Sequence, residues 1–312
     1  MKVIVIGAVA AGSKAASKLK RLQPDWEVVI YTADRNVAYS ECGMPYYIAG
    51  AFQDATKLII RTPEEFGKNG IKVYIQHEVI KINPESKSIT VKNLISQDIF
   101  YTNYDKLIIA TGANPVIPNI ENVNLKNIFT LRAYEDGLAI KKAVLSSKRA
   151  LILGAGYIGI ELLEAFVKQG LSTAIIQSSP FIMSLFDDDM ADLIQKYVLQ
   201  RNLEQVKVVN NDTIIAFEGD KFVKKAITKS GKEIETDFVV LSIGVTPNVE
   251  LAKNAGITLG TTGAIKVNPY LETNIKDIYA CGDCVEKYHI VAQAPCWIPL
   301  GSTANKEGRC CA

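Results

Sequence analysis

A chain of 312 residues, 48% apolar and 22% charged, has room for two folded domains and is too apolar for disorder to be its main state. Lys and Arg number 35 against 33 Asp and Glu, and the net charge of +2 leaves no electrostatic footprint for nucleic acid or an anionic membrane. No apolar run approaches the length that crosses a bilayer, which excludes a spanning helix.

In chain order, residues 3–6 read as a buried first strand. Lys2 and the run Ala8-Val9-Ala10 imitate a short signal peptide. The Gly-rich turn and amphipathic helix that follow favour the strand, and with it a cytoplasmic protein. Residues 12–22 have helical periodicity, which Pro24 ends, and 27–31 form the next strand. A helix is predicted from Thr62, where Thr62-Pro63-Glu64-Glu65 supplies an N-cap, a proline at the first position and a glutamate at the third. Residues 72–82 and 88–91 read as β-ribbon, and 106–110 as a strand closed by Thr111-Gly112. A second cycle begins at 151–153, with a Gly-rich turn, a helix over 157–168 and a strand over 172–177. Strands near Val206, Ile214 and Val223 and over 238–243 follow, closed by Gly244. Short strands return after Gly256, and residues 277–280 lead into Gly282-Asp283. This alternation predicts an α/β chain of two Rossmann-like units, each a three-layer ββα arrangement. The second, 113–244, is inserted into the first, 1–112 and 245–312.

Two turns carry the nucleotide signal. Gly7-Ala8-Val9-Ala10-Ala11-Gly12 joins a strand to a helix, where free N–H groups and the helix dipole suit a pyrophosphate, although Val9 replaces the middle glycine. A carboxylate is expected about 20 residues further on to hold a ribose; Thr32 takes that place and Asp34 is the nearest acid. Gly154-Ala155-Gly156-Tyr157-Ile158-Gly159 meets the full dinucleotide pattern. Gln177 ends the next strand, and without a carboxylate or a cation there the cofactor is NADH or NADPH, the balance lying toward NADH.

Of six cysteines, Cys42 stands apart. Ser40 is placed to cap a helix starting here, which would put the thiol at the positive end of a dipole and favour thiolate, whereas Glu41 opposes a second anion. Tyr47 occupies the place where a partner cysteine would close an internal disulfide, so Cys42 reads either as a lone redox thiol or as a buried structural one. Cys281 and Cys284 form a C-x-x-C, but with only two His in the chain no metal site is predicted.

Two nucleotide-binding units, Cys42, Ala110-Thr111-Gly112 and Tyr279-Ala280-Cys281-Gly282-Asp283 together resemble the pyridine nucleotide–disulfide oxidoreductases. Ser40-Glu41-Cys42-Gly43-Met44-Pro45-Tyr46 and the stretch 297–305 are similar to the single-cysteine branch, which holds coenzyme A-disulfide reductase, NADH oxidase, NADH peroxidase and persulfide reductase. The resemblance implies FAD on the first unit. Gly7, Ala8, Ala11 and Gly12 would meet the pyrophosphate, Asp34 or Arg35 the ribose, and Val79 the adenine. Thr111, Gly112 and Arg132 would line the flavin, Asp283 its ribityl chain, and Leu300 and Gly301 the pyrimidine end. It implies NADH or NADPH on the second unit, at Gly154, Gly156, Tyr157, Ile158, Gly159, Gln177 and Gly244. Tyr157 would be an aromatic gate over the flavin and Glu161 a polar group near the hydride path, acting with Cys42 in catalysis. Lys14, Lys18 and Arg21, a basic stripe on the first helix, match positions that bind coenzyme A phosphates, and Ser40 lies beside the thiol.

Departures from the pattern steer the expectation. Ala10 stands where oxidases and peroxidases of the branch carry a histidine, which turns the reading toward disulfide or persulfide substrates, those of coenzyme A among them. Ala38 and Glu41 replace a polar pair beside the thiol. Relatives continue past Gly308-Arg309 through a helix that closes the flavin domain and a third, dimerising domain. The chain is therefore expected to lack both. Reduction of oxygen and a nucleotide-binding fragment without activity remain as alternatives; membrane and nucleic-acid partners are not expected.

Overall fold

The computed structural model describes residues 1–201 and 204–312, and the chain divides into two compact units. The first contains Met1–Ser40, Lys57–Asn114 and Pro247–Ala312; the second contains Glu41–Thr56 and Pro115–Thr246.

In the first unit the strands Ile278–Ala280, Lys106–Ile109, Lys2–Ile6, Glu27–Tyr31 and Ile71–Tyr74 lie side by side in that order, all parallel. Alternate side chains feed two cores. Val3, Val5, Val28, Ile30 and Ile108 face Ala11, Ala15, Ala16 and Leu19 of the helix Ala10–Leu22. Ile4, Ile6, Val29, Leu107 and Ile109 face Val79, Ile82, Ile89 and Val91 of a three-stranded antiparallel sheet. A strand buried on both faces has to be apolar throughout, which is why 3–6 is an unbroken aliphatic run. Each fully buried Val or Ile contributes about 1.5–3 kcal/mol of transfer free energy.

The second unit repeats the plan. Val206–Val209, Ser172–Ile176, Arg149–Leu153, Phe238–Leu241 and Ile128–Phe129 form the parallel sheet. Ile152, Val240 and Ile175 pack on Leu162 and Phe166 of the helix Tyr157–Lys168. Leu151, Leu153 and Val239 pack on Phe217, Ala226 and Ile234 of a second antiparallel triplet. Each unit is thus parallel sheet between helix and antiparallel sheet.

The capping box forms as expected: the Glu65 N–H donates to Thr62 Oγ1 at 3.3 Å and the Thr62 N–H to the Glu65 carboxylate at 2.8 Å. Other expectations are corrected. Residues 72–82 are not one ribbon: Ile71–Tyr74 is the parallel edge strand and His77–Asn83 starts the antiparallel sheet, with Gln76 between them at φ 53 breaking the extended run. The strand expected near Val223 begins at Lys225, after a turn at Gly219. The helix Gly301–Cys310 also belongs to the first unit. It lies against Ala10–Leu22 with Ala304 and Gly308 buried. A Cβ on Gly308 would sit 2.4 Å from the Ala11 carbonyl oxygen, so only glycine permits this approach.

Asp212 leads into Ile214–Glu218 and accepts from Ser230 Oγ at 2.5 Å and from the Thr213 and Ser230 N–H groups at 2.9 and 3.2 Å. Chiefly through the Ser230 hydroxyl, its carboxyl falls from the ordinary 3.8 to about 2. A lowered folded-state pKa gives stability that is fully present above 3.8 and lost as pH falls through about 2. Asp212→Asn should therefore flatten the acid-unfolding curve of this unit over that window, read by circular dichroism. An unchanged curve would show that Asp212 contributes nothing.

Candidate functional site

The first Gly-rich turn is fixed by packing at both ends. Gly7 has φ +102, and a Cβ there would lie 2.1 Å from the Ala110 carbonyl oxygen; one on Gly12 would lie 2.0 Å from that of Gly7. Val9 stands half-buried at the start of the helix without a capping side chain, so the first-turn N–H groups receive no side-chain acceptor from it. Ala8 is buried and its carbonyl accepts from the Ala38 N–H at 2.8 Å. Asp34 is half-buried and Arg35 exposed beyond the strand Glu27–Tyr31. Val79 is buried, its chain paired with Val91. Thr111 Oγ1 donates to the Asn248 carbonyl at 2.6 Å, and the Asn248 N–H to the Gly112 carbonyl at 2.9 Å.

Gly282, at φ +87 and next to Asp283, packs against this turn: a Cβ on Gly282 would lie 2.8 Å from Ala11 Cβ and 3.8 Å from Ala304 Cβ. The Asp283 carbonyl accepts from Trp297 Nε1 at 2.7 Å. Leu300 and Gly301 begin the helix that carries Ala304, both exposed. The first turn, Gly282-Asp283 and the last helix therefore converge on Ala11.

In the second turn the outer glycines are again structural. A Cβ on Gly154 would lie 2.4 Å from the Ser242 carbonyl oxygen, and one on Gly159 would lie 2.1 Å from that of Gly154. Gly156 is different: its backbone is extended, at φ −79, and nothing lies within 4 Å of its Cβ position. A glycine facing open space at the start of a helix is the cradle a pyrophosphate needs. Gln177 Oε1 accepts from the Ala155 N–H at 3.0 Å, and Gln177 Nε2 donates to Ser179 Oγ at 2.8 Å, so this side chain braces the turn. Tyr157 is half-exposed at the first helical position, followed by half-buried Ile158. Partial burial, then the charge of Glu164, pushes the Glu161 carboxyl above the usual range. Gly244, at φ +116, has nothing within 4 Å of its Cβ position.

Cys42 departs from expectation. Ser40 caps no helix; its N–H donates to the Leu58 carbonyl at 2.8 Å. Cys42 lies exposed in a 3₁₀ turn, Glu41–Gly43, and the helix Met44–Ile48 starts only after it, with Gly43 as N-cap and Pro45 in its first turn. A five-residue helix starting beyond the thiol has little dipole to offer it. Glu41 instead pairs with the Arg132 guanidinium, so the carboxylate expected to oppose a thiolate is matched by a cation. Arg132, which the resemblance set beside the flavin, belongs here to the same unit as Cys42.

The segment is anchored by residues the sequence reading missed. The Lys141 ammonium, buried, donates to the Ile48 carbonyl at 2.9 Å and to Gln169 Oε1 at 3.2 Å, and Gln169 Nε2 donates to the Ala49 carbonyl at 2.7 Å. Desolvation pushes the Lys141 pKa down. A signal existed: Lys141 lies in the buried stripe of Gly137, Ile140 and Val144.

Lys14, Lys18 and Arg21 share the helix Ala10–Leu22, but the Lys18 ammonium donates to the Arg309 carbonyl at 2.6 Å. Ala38 is buried with φ 47. Cys281 and Cys284 are buried, and burial lifts the Cys284 thiol to about 11. Among the described residues no cluster of three or more His, Cys, Asp or Glu could hold a metal, and no helix is long and apolar enough to cross a membrane.

A family model described as pyridine nucleotide-disulphide oxidoreductase matches residues 1–308. The chain is 35% identical to an NAD(P)H coenzyme A polysulfide/persulfide reductase of Pyrococcus horikoshii, over 98% of this chain and 68% of that protein. It is 36% identical to an NADH oxidase of Methanocaldococcus jannaschii, over 99% of this chain and 68% of that protein. Its fold matches the solved structure of an NAD-dependent persulfide reductase from A. fulgidus with a TM-score of 0.95 at 32% identity, covering all of this chain and 58% of the other. By these matches the chain belongs to the pyridine nucleotide-disulphide oxidoreductase family.

Proposed function

We propose that the chain is an FAD-containing NAD(P)H oxidoreductase that reduces a small disulfide or persulfide, of the coenzyme A class, through Cys42. The observation that carries the reading is a doubled strand–turn–helix cradle in one chain that also bears an exposed Cys42 thiol.

The residues present fit both cofactors. In the first unit Gly7, Ala8, Ala11 and Gly12 would hold the FAD pyrophosphate, Asp34 or Arg35 its ribose and Val79 its adenine. Thr111, Gly112, Asp283, Leu300 and Gly301 would hold the flavin half. In the second, Gly154, Gly156, Ile158, Gly159, Gln177 and Gly244 would hold NADH or NADPH, with Tyr157 and Glu161 beside the nicotinamide path. When bound, FAD supplies the two-electron relay between nicotinamide and sulfur. Cys42 supplies the nucleophile: its sulfur bonds to one sulfur of the substrate disulfide and the other leaves as thiolate, taking up the proton. The net reaction consumes one NAD(P)H, one proton and one disulfide and yields NAD(P)⁺ and two thiols. Arg132 holds the Glu41 charge so that it does not face the Cys42 thiolate alone. Lys14, Lys18, Arg21 and Ser40 would meet the substrate's phosphates and thiol end.

Reduction of oxygen is the competing reading, and Ala10 weighs against it: the resemblance puts a histidine at that position in oxidases and peroxidases of the branch, and alanine has no group that holds a proton. The same proposal carries a cytoplasmic protein without membrane or nucleic-acid partners, the homodimer belonging to full-length members of the family. Absorption spectra decide the main claim: anaerobic NADH should bleach the flavin bands of the purified protein, and coenzyme A disulfide or a persulfide should restore them. Protein that takes up no FAD overturns the reading.

A further inference from the structure

Gly282 is gripped through both of its backbone groups. Its N–H donates to a Glu307 carboxylate oxygen at 2.8 Å, and its carbonyl accepts from the Lys287 ammonium at 3.0 Å. Lys287 also donates to the Val285 carbonyl at 3.1 Å and lies 3.5 Å from the Glu307 carboxylate. The two side chains are only 9% and 15% exposed. Glu307 comes from the last helix, next to Gly308, which abuts the Ala11 carbonyl; Gly282 itself meets Ala11. The ion pair thus ties the Gly282-Asp283 turn to the last helix, which itself packs on the helix that follows the first glycine turn.

Stability alone does not account for such a pair. Removing two charges from water costs several kcal/mol per ion, and apolar residues of similar volume do as well or better. What a buried pair does well is fix geometry. Here it fixes the two sides of a single residue whose left-handed backbone sets the direction of Asp283. Being neutral as a pair, it also adds no net charge beside a cradle suited to a diphosphate, where an unmatched carboxylate would repel. Burial pushes the Glu307 carboxyl up, while the Lys287 charge and the Gly282 N–H work against that rise.

We propose that Glu307 and Lys287 are positioning residues for FAD, holding the Gly282 peptide from both sides so that Asp283 is presented to the flavin's ribityl chain. The inference rests on the flavin reading above. Its test is FAD binding by the full chain, stripped of flavin and titrated with FAD by fluorescence quenching, with NADH binding as a check that the chain is folded. Glu307→Leu removes the acceptor and should weaken FAD at least about tenfold, while Glu307→Gln, whose amide oxygen accepts the same N–H, should stay within about threefold of wild type. Glu307→Leu binding FAD like wild type, or Glu307→Gln binding as weakly as Glu307→Leu, overturns the inference and leaves the flavin reading standing. Wild-type protein that binds no FAD overturns both. Should Glu307→Leu also lose NADH binding, Lys287→Met decides: it leaves the Glu307 charge unmatched and should weaken FAD at least about threefold, and unchanged affinity overturns the inference.

Discussion

Cys42→Ser is expected to lower the rate of disulfide or persulfide reduction by on the order of 10³-fold or more while NADH still bleaches the flavin at an undiminished rate. The two halves of this result follow from different residues. The proposed nucleotide site is built from backbone at Gly154, Gly156 and Gly159 and needs no thiol. Attack on a disulfide needs a sulfur that ionises near neutral pH, and a serine hydroxyl does not. Cys42 is suited by its exposure and by the Glu41–Arg132 pair beside it, not by a helix dipole. Cys310 is also exposed, so Cys310→Ser is the control and should leave the rate unchanged. The buried Cys281 and Cys284 are out of reach of a solvent-borne substrate. Disulfide reduction that survives in Cys42→Ser would remove the thiol from the reaction and leave an enzyme that passes electrons from flavin to some other acceptor.

What could be read from the sequence was local. The aliphatic run at 3–6, the helix over Tyr157–Lys168 and the capping box at Thr62 each specify themselves within a few residues, and each forms. So did both glycine turns, because the close approaches at Gly12 and Gly159 are to carbonyls of residues five earlier in the same turn. The misreadings arose where a single backbone angle or a distant partner decides. Gln76 at φ 53 divides an extended run that has no Gly or Pro to announce the break. Ser40 looks like a cap, but Pro45 suits a helix that starts later and the Ser40 N–H is taken by Leu58. The Arg132 partner of Glu41 and the Glu307 acceptor for Gly282 come from remote parts of the chain, and spacing carries no signal for them. Lys141 was legible in principle, as a charge in an apolar helical stripe, but not its use on the Ile48 carbonyl.

The three glycines of the second turn should separate in experiment. Gly159→Ala forces a Cβ to 2.1 Å from the Gly154 carbonyl oxygen and 3.0 Å from Ser242 Oγ, and the backbone has to yield. Overpacking of this kind costs about 1–3 kcal/mol, so thermal stability should fall together with NADH binding. Gly156→Ala meets nothing within 4 Å and keeps a backbone angle that alanine tolerates. Its melting temperature should hold or rise, since replacing glycine at a compatible site restricts the unfolded chain by about 0.4–1 kcal/mol. Its NADH affinity should nonetheless drop at least about tenfold, because the added methyl occupies the space through which the pyrophosphate reaches the N–H groups of the turn. Stability and affinity move together in one variant and apart in the other, which a structural role for all three glycines does not produce. Calorimetric melting paired with NADH titration reads both quantities on the same protein. Full NADH affinity in Gly156→Ala would mean that the open face at this turn is not where the dinucleotide lies.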